Sequence, residues 1–281
     1  MPHHRLVVVG ARGQLGTALT ALAPGAAALG RGDLDLADAA AVDAHPALSG
    51  ARVVVNAAAH TAVDAAESDP APAWAANRDA AANLARRCAA EGAHLIHVST
   101  DYVFGSSAPR RPLRPDDPAE PDTVYGASKL AGEEAILASG AAATIVRTAW
   151  VFTGPRWPGG DFASTMLRLA GERDHVDVVD DQHGSPTYAP HLAAGLLELA
   201  ADPVPGVLHA AGAGEATWYG LAREIVAAAG HDPARVRPCA SSAFPRPAPR
   251  PPWSVLDCSS WADAGLTPLP EWRAGVAAAL T

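Results

Sequence analysis

The chain has 281 residues, 49% of them hydrophobic, and a formal net charge of −9 at pH 7. That length supports one large domain or two unequal ones, and the acidic balance argues against a role in coating nucleic acid. No apolar run approaches the ~18 residues that a membrane span requires, and no charged-then-apolar leader precedes a cleavage site, so a soluble cytoplasmic chain without nucleic-acid or membrane partners is expected.

Residues 5–9 read as a buried strand, and Gly10-x-x-Gly13-x-x-Gly16 follows at once, with an apolar helix continuing from Thr17 to Leu22. Glycines between a strand and a helix permit a tight turn, close approach of a pyrophosphate and close helix packing, while the helix N-terminus offers aligned N–H groups. A weak strand near Ala26–Leu29 leads to Arg31. An acid for a ribose 2′-hydroxyl is usual near this point, and an arginine suits a 2′-phosphate instead. NADPH is therefore favoured, with NADH as the alternative, and Asp35 and Leu36 are placed to meet the adenine. A second buried strand at 52–55 ends in Asn56-Ala57-Ala58-Ala59, a helix follows at about 70–91, and a third strand at 93–98 runs into Ser99-Thr100-Asp101. A helix at roughly 125–139 and a strand at 143–147 complete an alternation that indicates a parallel sheet covered on both faces.

Beyond about Trp150 the alternation fades and prolines and glycines punctuate the chain. The expected organisation is a doubly wound, Rossmann-type domain over residues 1–150, joined by returning segments at about 184–212. The remainder of 151–281 forms a smaller α/β domain for the substrate, with helices at about 188–201 and 217–229 divided between the two. The proline-rich stretch 245–252 reads as a rigid loop rather than a ligand for another module. Segment 106–122 reads as a mobile flap, with an inert connector as the alternative. Cys88, Cys239 and Cys258 are too few and too far apart for a disulfide framework or a metal knuckle, which leaves buried thiols. His3 and His4 read as bystanders, and Asp180-Asp181 as a solvated turn or a functional pair.

Of 21 basic side chains only Lys129 is a lysine. It stands four residues after Tyr125 on the predicted helix, so phenol and ammonium share a face. A neighbouring cation stabilises phenolate, and the expectation is a lowered phenol pKa that lets the hydroxyl exchange a proton during carbonyl reduction. Thr100 follows the third strand, where ligand sites of open parallel sheets gather, and it can donate to a substrate carbonyl.

The early glycine-rich turn, Asn56-Ala-Ala-Ala59, Ser99-Thr-Asp-Tyr-Val-Phe104 and Tyr125-x-x-x-Lys129 together resemble the extended short-chain dehydrogenase/reductases. Val55 to Glu67, Arg147 to Phe152, Phe162 to Ala170, Val179 to Thr187 and Thr217-Trp-Tyr219 are similar, more narrowly, to the dTDP-4-dehydrorhamnose reductase family, from Leu6 to about Trp272. The resemblance implies reduction of a dTDP-4-keto sugar by NAD(P)H, with Thr100, Tyr125 and Lys129 as the catalytic set. It further implies that Gly13, Gln14, Leu15, Asp35, Leu36, Ala59, His60 and Thr61 line the cofactor, beside Gly10, Gly16, Arg31, Ala58, Val98, Tyr125 and Lys129. Thr100, Asp101 and Trp150 would meet the sugar nucleotide, and Arg250 would meet its diphosphate. Some members of the family dimerise through a magnesium site built from glutamates; Ala18 and Pro190 stand at the matching positions here. No metal is therefore expected, and the chain should be a monomer or a weak homodimer.

Two other readings compete. A sugar-nucleotide epimerase or 4,6-dehydratase is the nearer one, but a dehydratase uses an additional acid–base pair beside the threonine, and only Asp101 is present there. A non-catalytic NADP-binding subunit is the other, and it leaves the retention of Thr100, Tyr125 and Lys129 without a reason.

Overall fold

The structure is a computed structural model and describes residues 6–155, 157 and 159–281. His3 and His4 lie outside the described residues. The first valine run forms β1 (Leu6–Val9), buried at every position. It is followed by α1 (Gln14–Leu22), β2 (Ala27–Leu29), α2 (Ala39–Ala44), β3 (Val53–Asn56) and α3 (Val63–Ser68). The helix expected over 70–91 is interrupted: α4 (Ala71–Trp74) passes into a π-helical turn at Ala75–Asp79 before α5 (Ala80–Glu91). Next come β4 (His94–Thr100), α6 (Val124–Ala138) and β5 (Ala143–Thr148).

The second half contains β6 (Val151–Phe152), α7 (Phe162–Glu172), β7 (Val176–Val179), β8 (His183–Gly184), β9 (Thr187–Tyr188), α8 (Ala189–Ala201) and β10 (Gly206–His209). It ends with β11 (Ala216–Thr217), α9 (Trp218–Ala228), β12 (Val236–Cys239), α10 (Ser259–Asp263) and α11 (Trp272–Leu280).

Six strands form one parallel sheet in the order β10-β5-β4-β3-β1-β2. Side chains alternate across its pleat. Val8 and Val55 pack with Leu15, Leu19, Leu192, Leu196 and Trp261 on one face, while Val7, Val9 and Val54 pack with Val42, Leu84 and Ile136 on the other. Helices α1 and α8 cover the first face together. The valine-rich strands thus carry apolar side chains on both faces, as a doubly wound sheet requires. β2, rich in alanine, is the short edge strand and, among the described residues, pairs with β1 alone. Because β2 and β3 flank β1 on opposite sides, the direction in which strands are added to the sheet reverses there, and the strands' carboxyl ends open into a crevice.

A second core gathers α7, α9, α11, β7 and β12 around Met166, Leu221, Ile225 and Trp272. Helix α9 belongs to this core, whereas α8 and β10 return to the sheet. Segment 106–122, read above as a flap, is pinned at its middle. Leu113 is fully buried, bridges to Leu256, and accepts a hydrogen bond at its carbonyl oxygen from the His209 ring. Trp253 Nε1 donates to the Arg111 carbonyl and Arg147 donates to that of Pro115. Burial outweighs the segment's proline content, so its central residues are structural. Among the described residues, no helix is long and apolar enough to cross a membrane.

Candidate active site

The first cavity, about 460 Å³, lies in the crevice at β1 and β3. It brings together Gly10, Gly13, Arg31, Asp35, Leu36, Ala58, Ala59 and His60. Gly10 has φ of +74°, and a Cβ there would lie 2.5 Å from the Ala58 nitrogen. A Cβ on Gly16 would lie 2.1 Å from the Gly10 carbonyl oxygen. The turn can therefore close on β3 and α1 only without side chains at these two positions. Gly13 is the N-cap of α1 and supplies no side-chain cap, so the first-turn N–H groups stay open to an anion. Gln14, Leu15, Gly16, Thr61, Val98, Tyr125 and Lys129 are not part of this cavity's lining. Leu15 is buried in the core, and the Val98 carbonyl is occupied by Lys129. Arg12, in the glycine turn itself, lines the cavity and pairs loosely with Asp33 at 3.5 Å. Sequence reading passed over Arg12 because its position between glycines carries no residue preference.

Beside the crevice, β4 and α6 hold the chemical groups. Thr123 caps α6 by accepting from the Gly126 N–H, which sets where the helix begins and places Tyr125 and Lys129 one turn apart, both buried. The Tyr125 ring meets Tyr102 edge-on at 5.4 Å. Thr100 donates to Asp101 at 3.0 Å and accepts from the Tyr102 N–H. The expectation of an acidified phenol is corrected here. Burial pushes Tyr125 up to about 12 and the Asp101 charge adds to this, while a hydrogen bond with Thr100 works the other way. Burial also raises Asp101 to about 6, against hydrogen bonds with Ser254 and Thr100. Lys129 is pulled down to about 8 by burial, with the Glu133 charge opposing. Its ammonium is costly to keep in this interior, and its nitrogen is directed at the Val98 carbonyl, 2.7 Å away, and at the His97 ring, 3.0 Å away.

Two polar anchors of this site had no sequence signal beyond being polar. Asn77 sits in the π-helical turn, where it accepts from the His60 N–H and donates to the His60 carbonyl and to Ser128 on α6. A π turn inserted in a helix commonly marks a functional position, and this one ties the crevice loop to the Tyr125 helix. Glu133 pairs with Arg147 of β5 at 2.7 Å, both buried, and fixes the far end of α6.

A second, larger cavity of about 1140 Å³ opens between α7, β7 and the proline-rich loop. Tyr102, Trp218 and Arg250 line it, whereas Thr100, Asp101 and Trp150, expected at the sugar nucleotide, do not. Arg250 donates to Asp64 at 2.9 Å and to the Ala248 carbonyl, so its loop is tied to α3. Trp150 has φ of +47°, an uncommon conformation for a bulky residue, and it stacks on Trp218 with ring centroids 3.7 Å apart. The expected flat wall is thus a pair of indoles, and Trp218 is the partner that faces the cavity. Asp180 accepts from Thr217, and Asp181 accepts from Ser241, which gives this pair a structural use. Among the described residues no group of three or more His, Cys, Asp or Glu is arranged to hold a metal ion.

The profile of the RmlD substrate binding domain family matches residues 4–281. The chain belongs to this family. A dTDP-4-dehydrorhamnose reductase of Mycobacterium tuberculosis is 51% identical over 98% of the chain and 92% of its own length. The crystal structure of a family member from Clostridium acetobutylicum superposes with a TM-score of 0.92 at 34% identity, covering 98% of each chain. That of the Bacillus anthracis reductase, described as a complex with NADP, superposes with a TM-score of 0.90 at 32% identity over 97% of this chain and 96% of its own.

Proposed function

We propose that the chain reduces the 4-keto group of dTDP-4-dehydro-L-rhamnose to dTDP-L-rhamnose, using NADPH. The observation that carries this reading is Thr100 within hydrogen-bond reach of Tyr125, with Lys129 one helical turn on and linked through His97 and Asn56 to Ala58 of the glycine-floored crevice, in a family whose members include dTDP-4-dehydrorhamnose reductases. The crevice fits a dinucleotide, since side chains at Gly10 and Gly16 would fill the cradle. Gly10, Gly13, Arg31, Asp35, Leu36, Ala58, Ala59 and His60 would hold the cofactor, with Arg31 on the 2′-phosphate. When bound, NADPH supplies the hydride.

The protein's share of the reaction is positioning and proton supply. Thr100 can donate to the ketone oxygen, where negative charge grows during reduction. Tyr125 holds at its hydroxyl the proton that completes the alcohol. Its high pKa keeps that proton in place until an alkoxide develops. The second cavity would take the nucleotide portion, with Arg250 on the diphosphate and the Trp150–Trp218 stack as an apolar wall. This arrangement corresponds to a division into a cofactor domain, residues 1–150 with returning segments at about 184–212, and a substrate domain formed by the rest of 151–281. We place the protein in the cytoplasm, as a monomer or weak homodimer, and without nucleic-acid or membrane partners.

The test is steady-state oxidation of NADPH, and separately of NADH, with dTDP-4-dehydro-L-rhamnose. Turnover with NADPH is expected, and its absence would overturn the reading.

A further inference from the structure

A line of buried polar groups runs behind the active site and ends on Lys129. The Ala58 N–H donates to Asn56 Oδ1 at 3.0 Å. Asn56 Nδ2 lies 3.0 Å from His97 Nδ1, and His97 Nε2 lies 3.0 Å from Lys129 Nζ. All three side chains are buried, each about 1% exposed.

The polarity of this line follows from its first member. A backbone N–H can only donate, so the atom of Asn56 that faces Ala58 is the carbonyl oxygen and the one that faces His97 is the amide nitrogen. The amide nitrogen donates, so His97 Nδ1 accepts and carries no proton. Burial holds His97 far below the usual imidazole range, and a neutral imidazole has one N–H, which must then be on Nε2. That N–H points at Lys129 Nζ. An ammonium has three donors and no lone pair, so it would set N–H against N–H. A neutral amine satisfies every contact: one N–H reaches the Val98 carbonyl, and the lone pair receives Nε2–H.

We infer that Asn56 and His97 are positioning residues that lock one imidazole tautomer and thereby favour the amine form of Lys129 over its ammonium in the ligand-free protein. Protonating Lys129 requires breaking the Nε2–H contact or moving the ring proton to Nδ1 against the Asn56 amide. The other groups facing this part of α6 do not supply that bias. Glu133, one turn along, favours the ammonium but is itself paired with Arg147, and Asp101 acts on Tyr125. The downward pull of burial on Lys129 acts in the same direction as the lock. The consequence for turnover rests on the reductase reading: the lock makes the cation that would stabilise a Tyr125 phenolate costlier to form, so its share of the protein falls as the pH rises through the lowered midpoint. The ionisation state itself requires no turnover, so the two readings fail separately.

Because Lys129 is the chain's single lysine, lysine labelled with 13C at Cε reports one side-chain titration in the whole protein. In the ligand-free wild type its midpoint is expected at least about one unit below the ordinary lysine value of about 10.4. Asn56→Asp offers an oxygen to Ala58 and another to a proton on His97 Nδ1, which reverses the tautomer and frees Nε2 to accept from an ammonium. His97→Gln can likewise accept from it. Either substitution should raise the midpoint by about one unit or more. Histidine 15N shifts should place the wild-type His97 proton on Nε2, with the resonance assigned by its loss in His97→Gln. A wild-type midpoint at or above the ordinary value, a His97 proton on Nδ1, or an unmoved midpoint in both variants overturns the proposal. Should neither variant fold, the wild-type titration and tautomer decide it alone.

Discussion

The two cavities are built in different ways. The crevice at β1 and β3 is made of backbone: a turn without side chains at Gly10, an uncapped helix N-terminus at Gly13, and the alanines after β3. The larger cavity is made of side chains from distant segments, with Tyr102 after β4, Phe162 and Met166 on α7, Trp218 on α9 and Arg250 in the proline-rich loop. A site formed by backbone is specified by a few consecutive residues and tolerates little change in them. One assembled from side chains depends on how whole elements pack, and its members can be exchanged one at a time.

Substitutions can break or sharpen this contrast. The largest effect is expected at the buried Tyr125, which lines neither cavity. Tyr125→Phe should lower turnover by about 10³-fold, within the range of general-acid contributions, while NADPH affinity measured by fluorescence titration stays near wild type. Turnover within a few-fold of wild type would remove Tyr125 from the chemistry. Next is Glu133→Gln, which leaves Arg147 buried without its charge partner and should cost about 3 kcal/mol in denaturant-measured stability. On the side-chain cavity alone, Arg250→Ala should raise KM for the sugar nucleotide about tenfold, roughly 1.4 kcal/mol, with KM for NADPH unchanged. A change in both constants would mean that the two cavities are not independent.

The smallest effect concerns pH. Burial pulls His209 down to about 4, against about 6.5 in an unfolded chain. Between those values the unfolded state binds more protons, so the contribution of His209 to stability is complete above about 6.5 and is lost as the pH falls through about 4. Thermal midpoints measured from pH 7 to pH 4 should fall less steeply in His209→Gln than in wild type. Equal slopes would show that the imidazole is not held neutral.

Most of the sheet was legible because its strands are short β-branched runs: Val7–Val9, Val53–Val55 and the stretch ending at Thr100. The edge strand β2 was the faint one, since alanine carries little strand preference and β2 sits at the sheet's end against β1. Helix α7, the pairing of β7 with β12, and α11 were not resolved by sequence reading. Their apolar positions find partners in a core gathered around α9, far from them in the chain or set by packing rather than by local pattern. Within the site, Thr100, Tyr125 and Lys129 were readable from spacing, but the phenol's ionisation was not. Its direction reversed because burial and Asp101 outweigh the hydrogen bond with Thr100, while the lysine nitrogen is engaged by β4.

By itself the sequence determined the parallel sheet, the glycine turn at its switch point, and the placement of a tyrosine and the single lysine one helical turn apart. These follow from local rules, a pleat of period two and a helix of 3.6 residues per turn, so neighbours in the chain suffice. Only the tertiary structure decided that Trp150 pairs with Trp218, that Arg250 is held by Asp64, and that Lys129 meets His97. Each of these joins residues 32 or more positions apart. Contacts of that kind, and the desolvation that sets buried pKa values, exist only once the core has closed around them.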